Sequence, residues 1–279
     1  MVKDLFVPLL RSPADAFALD AAAALGRAFG AHVVALATLE HPVPLVTEFG
    51  YLPIESGQRE LEQARELTAA MVAAARERLA GEGLSSEVHQ TETMLLWSEE
   101  TAALHARHAD LSVLGRPDDT GETPRFALTF KSLLMHSGRP VLVVPTGATL
   151  RAPVARAVIA WKPTAEAARA VHDALPLLAA DAEIEVLMID PEPGESRHGE
   201  LPGADLAAHL ARHGRRVSVL SQPREGRSEG AAILRHADES GAELLVMGGY
   251  GHSRWREVVL GGATRSVLDG MRSPVLFSH

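Results

Sequence analysis

Ala242-Glu243-Leu244-Leu245-Val246-Met247-Gly248 is a short apolar run closed by glycine, and it repeats an earlier one. Ala109-Asp110-Leu111-Ser112-Val113-Leu114-Gly115 has the same form, with Gly115 and Gly248 offset by 133 positions. Runs of four to eight residues rich in Val and Leu, without polar alternation, mark strands covered on both faces of a parallel sheet. A second echo lies further along: Gly138-Arg139-Pro140-Val141-Leu142 is answered by Met271-Arg272-Ser273-Pro274-Val275-Leu276, with the prolines offset by 134. One unit has therefore been written twice. Between the copies, Pro145-Thr146-Gly147-Ala148-Thr149-Leu150-Arg151-Ala152-Pro153 has the composition of a linker, which sets expected domains at 1–147 and 152–279.

Other strand-like runs lie at Leu5 to Leu10, Val33 to Leu39, weakly around Val88, and Val141 to Val144 in the first copy. In the second they lie at Ala157 to Trp161, Ile184 to Ile189, Val217 to Leu220 and Val275 to Phe277. Helical spacing of apolar residues fills the gaps at 14–29, 57–80, 165–180, 203–213, 229–240 and 263–271. Strands alternating with helices, joined by right-handed crossovers, give an α/β fold. The expectation is two tandem doubly wound domains, each a five-stranded parallel sheet with helices on both faces. The last strands, Val141 to Val144 and Val275 to Phe277, are expected to pair, because an open sheet leaves edges that need covering.

Composition narrows the function. The 279 residues are 46% hydrophobic and 23% charged, which is ordinary for a folded domain. There is no cysteine, so thiolate metal sites, disulfides and cysteine nucleophiles are excluded. A net charge of −9 offers nucleic acid and anionic membranes no general attraction, and no apolar run approaches membrane-span length. The expected location is cytoplasmic. The charge is uneven: 1–147 carries −7 and 148–279 only −2, so an anionic ligand is less opposed in the second copy.

The chemistry-bearing stretch follows the fourth strand of the second copy: Gly248-Gly249-Tyr250-Gly251-His252-Ser253-Arg254-Trp255-Arg256-Glu257-Val258-Val259-Leu260-Gly261-Gly262-Ala263-Thr264-Arg265. Glycines at a strand's carboxyl end let backbone amides approach a ligand, and Gly261-Gly262-Ala263-Thr264 opens a helix whose free amides and dipole favour phosphate. It is neither a P-loop nor a dinucleotide fingerprint, because it lacks Gly-Lys-Ser/Thr and does not follow a first strand.

The spacing Gly248-x-x-Gly251, nine residues, then Gly261, with Thr264 and Ser273-Pro274-Val275-Leu276 beyond, resembles the ATP-binding segment of the universal stress protein family. The duplicated chain is similar to that family's tandem members. The resemblance implies ATP held by Gly248, Gly251, Gly261, Gly262, Ala263 and Thr264, with Mg²⁺ able to accompany it. It also implies an intramolecular pseudo-dimer joined through last strands, and it leaves a homodimer and an unidentified protein partner open. This chain departs from the family pattern twice: Gly262 stands where Ser or Thr is usual, and Lys162 stands where the first strand usually ends in Asp. A lysine cannot accept bonds from ribose hydroxyls, but it can meet phosphate as a point charge. In the first copy Gly115 persists, while Asp118 and Ala127 replace Gly251 and Gly261, and Asp119 and Glu122 add negative charge. That copy is expected to be empty.

Rival signals have plainer readings. Gly226-Arg227-Ser228-Glu229-Gly230 matches a nucleophile elbow in letters, but it does not follow directly on a strand, and Ser228 reads as a helix N-cap. Asp205, His209 and His213 share a helix face that could collect a metal or simply be solvated; His105 and His108 carry a weaker version of this signal. His252 reads as a turn residue, and Trp161 as packing or base stacking. Arg254, Arg256 and Arg265 read equally as phosphate contacts or surface charge. Three functional readings stay open: a regulatory protein that holds ATP as a signal, a ligand-free scaffold acting through protein contacts, and a slow ATPase.

Overall fold

The computed structural model describes all residues except 42–45, 48–49, 52–53, 82, 95–97, 119–123, 192–202 and 250–260. By contacts the chain divides into Lys3–Arg139 and a second unit made of Met1–Val2 with Pro140–His279.

In Lys3–Arg139 the chain forms β1 (Asp4–Leu9), α1 (Asp15–Phe29), β2 (His32–His41), a short antiparallel pair β3 (Val46–Thr47) and β4 (Gly50–Tyr51), then α2 (Ile54–Leu79) and β5 (Ser86–Met94). It continues through α3 (Ser98–Ala106), β6 (Leu111–Arg116) and α4 (Pro124–His136). The strands are parallel in the order β6-β1-β2-β5. Leu5, Val7, Val33, Ala35, Val113 and Leu114 are fully buried, as the absence of polar alternation requires.

The second unit contains β7 (Val141–Pro145), β8 (Val154–Ala160), α5 (Ala165–Ala174), a 3-10 turn at Leu175–Leu177, β9 (Leu178–Ile189) and α6 (Ala204–Arg212). There follow β10 (Arg216–Gln222), α7 (Glu229–Ser240), β11 (Leu244–Gly248), α8 (Gly262–Gly270) and β12 (Val275–Ser278). Five parallel strands run β10-β9-β8-β11-β12, and β7 adds antiparallel to β12. The register pairs Val275 with Val143, Leu276 with Leu142 and Phe277 with Val141, the two strands expected to meet. Because β7 groups with β12, the contact boundary falls at 139/140 and not in the linker after 147.

One element differs from its sequence reading. The helix expected over 165–180 ends at Ala174, and β9 begins at Leu178, well before Ile184. Pro176 lacks the amide needed to continue the helix and clashes with the preceding turn, so the chain tightens to 3-10 and leaves.

Candidate functional site

From β8 the chain runs outward to β9 and β10, then returns to the other side of β8 as β11 and β12. A strand order that reverses in this way opens a crevice beyond the carboxyl ends of β8 and β11. Around it stand Trp161 to Thr164 after β8, Gly248 and Gly249 at the end of β11, the start of α7, and the start of α8.

Gly248 has a packing reason to be glycine. A Cβ there would lie 2.7 Å from the Ala167 amide nitrogen and 2.8 Å from the Glu166 carbonyl carbon, so the first turn of α5 rests directly on it. Gly115 does the same for α1, with a Cβ only 2.1 Å from the Ala14 carbonyl oxygen. The persistence of Gly115 in the first copy therefore needs no ligand to explain it.

Gly261 and Gly262 are different. A Cβ on Gly261 would meet only Thr264 Oγ1, at 4.0 Å, and one on Gly262 would meet nothing within 4 Å. Gly261 has φ −54° and ψ 140°, a conformation open to any residue, and it precedes α8 with no side chain to cap the helix amides. Among the described residues, neither packing nor backbone strain accounts for these two glycines. Ala263 is half-buried, and Thr264 is buried just behind them. Gly251, His252, Arg254 and Arg256 lie outside the described residues. Arg265, exposed on α8, stands 3.8 Å from Asp269.

Lys162 is already engaged. Its Nζ lies 2.7 Å from the carboxylate of Glu229, the first residue of α7. The expectation that Lys162 meets phosphate as a point charge therefore requires this contact to open. Ser228 caps α7, accepting from the Ala231 amide at 3.2 Å, and its hydroxyl lies 3.0 Å from that of Ser266 on α8. The elbow reading of Ser228 therefore gives way to the N-cap. A Cβ on Gly230 would lie 2.7 Å from the Ala263 carbonyl oxygen, so α7 and α8 cross closely where both begin. This crossing sets Glu229 beside the head of α8.

The equivalent place in Lys3–Arg139 is filled by the chain itself. Arg11, at φ 59° after β1, donates to the Thr38 carbonyl at 3.1 Å and to Thr68 Oγ1 at 3.2 Å. Burial lowers its pKa, a shift the nearby Glu40 opposes and Arg125 reinforces. Glu40 is buried, pairs with both terminal nitrogens of Arg125 and accepts from Ser98 Oγ at 2.7 Å. Asp15, also buried, accepts the amides of Leu10 and Ser12, and burial pushes its pKa up to about 6. Ala127, aligned with Gly261, lies inside α4 and not ahead of it. Asp118 is exposed, while Asp119 and Glu122 are outside the described residues. No motif spacing links positions 11, 40, 98 and 125, which is why the sequence did not announce this network.

Among the other candidates, the ring of His172 joins those of His209 and His213, with centroids 5.2 and 4.7 Å apart. Among the described residues no group of three or more His, Cys, Asp or Glu is placed to hold a metal ion, so the reading of Asp205, His209 and His213 as a metal-collecting face is not supported. Burial, then the neighbouring His213 and His172, lower the pKa of His209. His105 stacks on Phe6 at 6.3 Å, and burial lowers its pKa. At the opposite, amino ends of the strands, Arg156 and Arg216 both face Glu183. Among the described residues no helix is long and apolar enough to cross a membrane.

A sequence model described as the universal stress protein family matches residues 155–279. A curated relative, universal stress protein Slr1230 from Synechocystis, is 44% identical over 45 residues, a match spanning 16% of each chain. Among solved structures, a universal stress protein from Archaeoglobus fulgidus superimposes with a TM-score of 0.68 at 16% identity, covering 99% of this chain and 97% of that one. A Pseudomonas aeruginosa protein of unknown function gives 0.55 at 15% identity, covering 99% and 92%. At these identities the structural likenesses establish the fold.

Proposed function

We propose that the chain is a stress-response regulatory protein that binds ATP in its second copy, a reading supported by the match of residues 155–279 to the universal stress protein family model. The observation that carries this reading is the open pair Gly261-Gly262 at the head of α8: glycines that no packing among the described residues requires, in front of helix amides, beside a crevice at the strand switch point. Phosphates lie against those amides, with Ala263 and Thr264 in the first turn of α8 behind them. Mg²⁺ accompanies the triphosphate. The nucleotide is held as a signal and not spent in rapid turnover.

The test is calorimetric titration with MgATP, together with mass spectrometry of any nucleotide retained through purification. Binding that is lost in Gly261→Val while the circular dichroism spectrum is kept supports the reading. The scaffold reading is favoured by one observation, the engagement of Lys162 by Glu229. Absence of nucleotide binding at millimolar MgATP would decide for it.

A further inference from the structure

Resting on that reading, we propose that Glu229 is an internal competitor for the bound anion: its carboxylate occupies Lys162 until a polyphosphate displaces it, which makes the site selective for ligand charge. The pair joins the end of β8 to the first residue of α7, with Nζ to carboxylate at 2.7 Å. Its side chains are 41% and 26% exposed, so solvent reaches it and the bond is weak enough to exchange. The α7 dipole favours a carboxylate side chain at this position, the first residue of the helix.

A carboxylate here otherwise makes no sense for an anion site. Ser228 contacts Ser266, and Gly230 lies against the Ala263 carbonyl, so Glu229 is fixed beside the head of α8, where its charge opposes any phosphate. Lys162 cancels that charge while the two are paired. A monoanion offers Lys162 no more than Glu229 already does, whereas a triphosphate brings several charges and adds the α8 amides. Exchange of Lys162 from carboxylate to phosphate is then favourable only for polyanions. No covalent step is involved.

The experiment is calorimetric titration of the full chain, wild type, Glu229→Gln and Lys162→Met, with MgATP, AMP and inorganic tripolyphosphate. Glu229→Gln should tighten ATP and tripolyphosphate by roughly five- to tenfold and AMP by more, narrowing the ratio between them, while Lys162→Met weakens the polyphosphates by a similar factor. Unchanged or weaker tripolyphosphate binding in Glu229→Gln overturns the proposal while leaving nucleotide binding intact. Loss confined to ATP, with tripolyphosphate unaffected, would instead make Glu229 an acceptor for sugar hydroxyls and also overturns it. Failure of all three proteins to bind any of the three ligands overturns the nucleotide reading along with it. Thermal melts of the variants keep a folding defect from being taken for a binding one.

Discussion

Asp110 and Glu243 hold the same place in the two copies and do the same work. Asp110 Oδ2 accepts the amides of Lys3 at 2.7 Å and Asp4 at 3.1 Å, and Glu243 Oε2 accepts those of Ala155 at 2.7 Å and Arg156 at 3.3 Å. Each acid precedes the fourth strand of its copy and secures the start of the first. Removing either acceptor leaves two strand amides to water, so Asp110→Ala and Glu243→Ala should each cost about 1 kcal/mol in urea unfolding. Glu243→Gln, which keeps an acceptor oxygen, should recover about half of that.

The glycines of the crevice should separate by experiment. Gly248→Ala forces a methyl into the first turn of α5, so it should lose about 2 kcal/mol or more of stability. Gly261→Ala, just ahead of α8 in an ordinary backbone conformation and with only Thr264 Oγ1 in reach among the described residues, should leave stability nearly unchanged. Chemical denaturation reads both stabilities, and ATP titration of Gly261→Ala should show weakened binding. The two substitutions thus separate a packing glycine from a ligand glycine.

Asp15 predicts a pH dependence. Its folded pKa is raised from 3.8 to about 6, with burial as the leading cause and the Leu10 and Ser12 amides pulling the other way. The folded state therefore holds the proton more tightly than the unfolded chain. The stability tied to that proton is fully present below pH about 4 and is lost as pH rises through about 6, a swing of roughly 3 kcal/mol at most. Subtracting the urea-unfolding curve of Asp15→Asn from that of the wild type between pH 4 and 7 should expose this slope. A flat difference would contradict it.

Stoichiometry follows from Glu40. Its carboxylate already takes Arg125 and Ser98, while Arg11 is spent on Thr38 and Thr68. Among the described residues, the first copy therefore has Arg11 and Arg125 already engaged at this place, and α4 there begins at Pro124 and not at a glycine pair. Titration should give no more than one ATP per chain, and Glu40→Gln, which takes the counter-charge from the half-buried Arg125, should destabilise by about 2 kcal/mol. Two equivalents of bound ATP would place a site where the structure shows a filled one.

The order of elements was legible because burial on both faces of a parallel strand imposes unbroken runs such as Leu244 to Met247, and because the duplication printed the pattern twice. Ser228 as a cap and α7 at Glu229–Ser240 were equally readable, since caps and helical spacing act over one or two turns. The end of α5 was missed although Pro176 announces it, because apolar spacing continued across the proline. What only the tertiary structure decided is which side chains face one another. Gly248 and Gly261 look alike as letters, yet one lies under α5 and the other faces open space. Lys162 meets Glu229 across 67 residues, and Arg125 meets Glu40 across 85. Local propensity and periodicity are properties of neighbours along the chain, whereas charge pairing and crowding depend on distances that exist only once the strands have been ordered in the sheet.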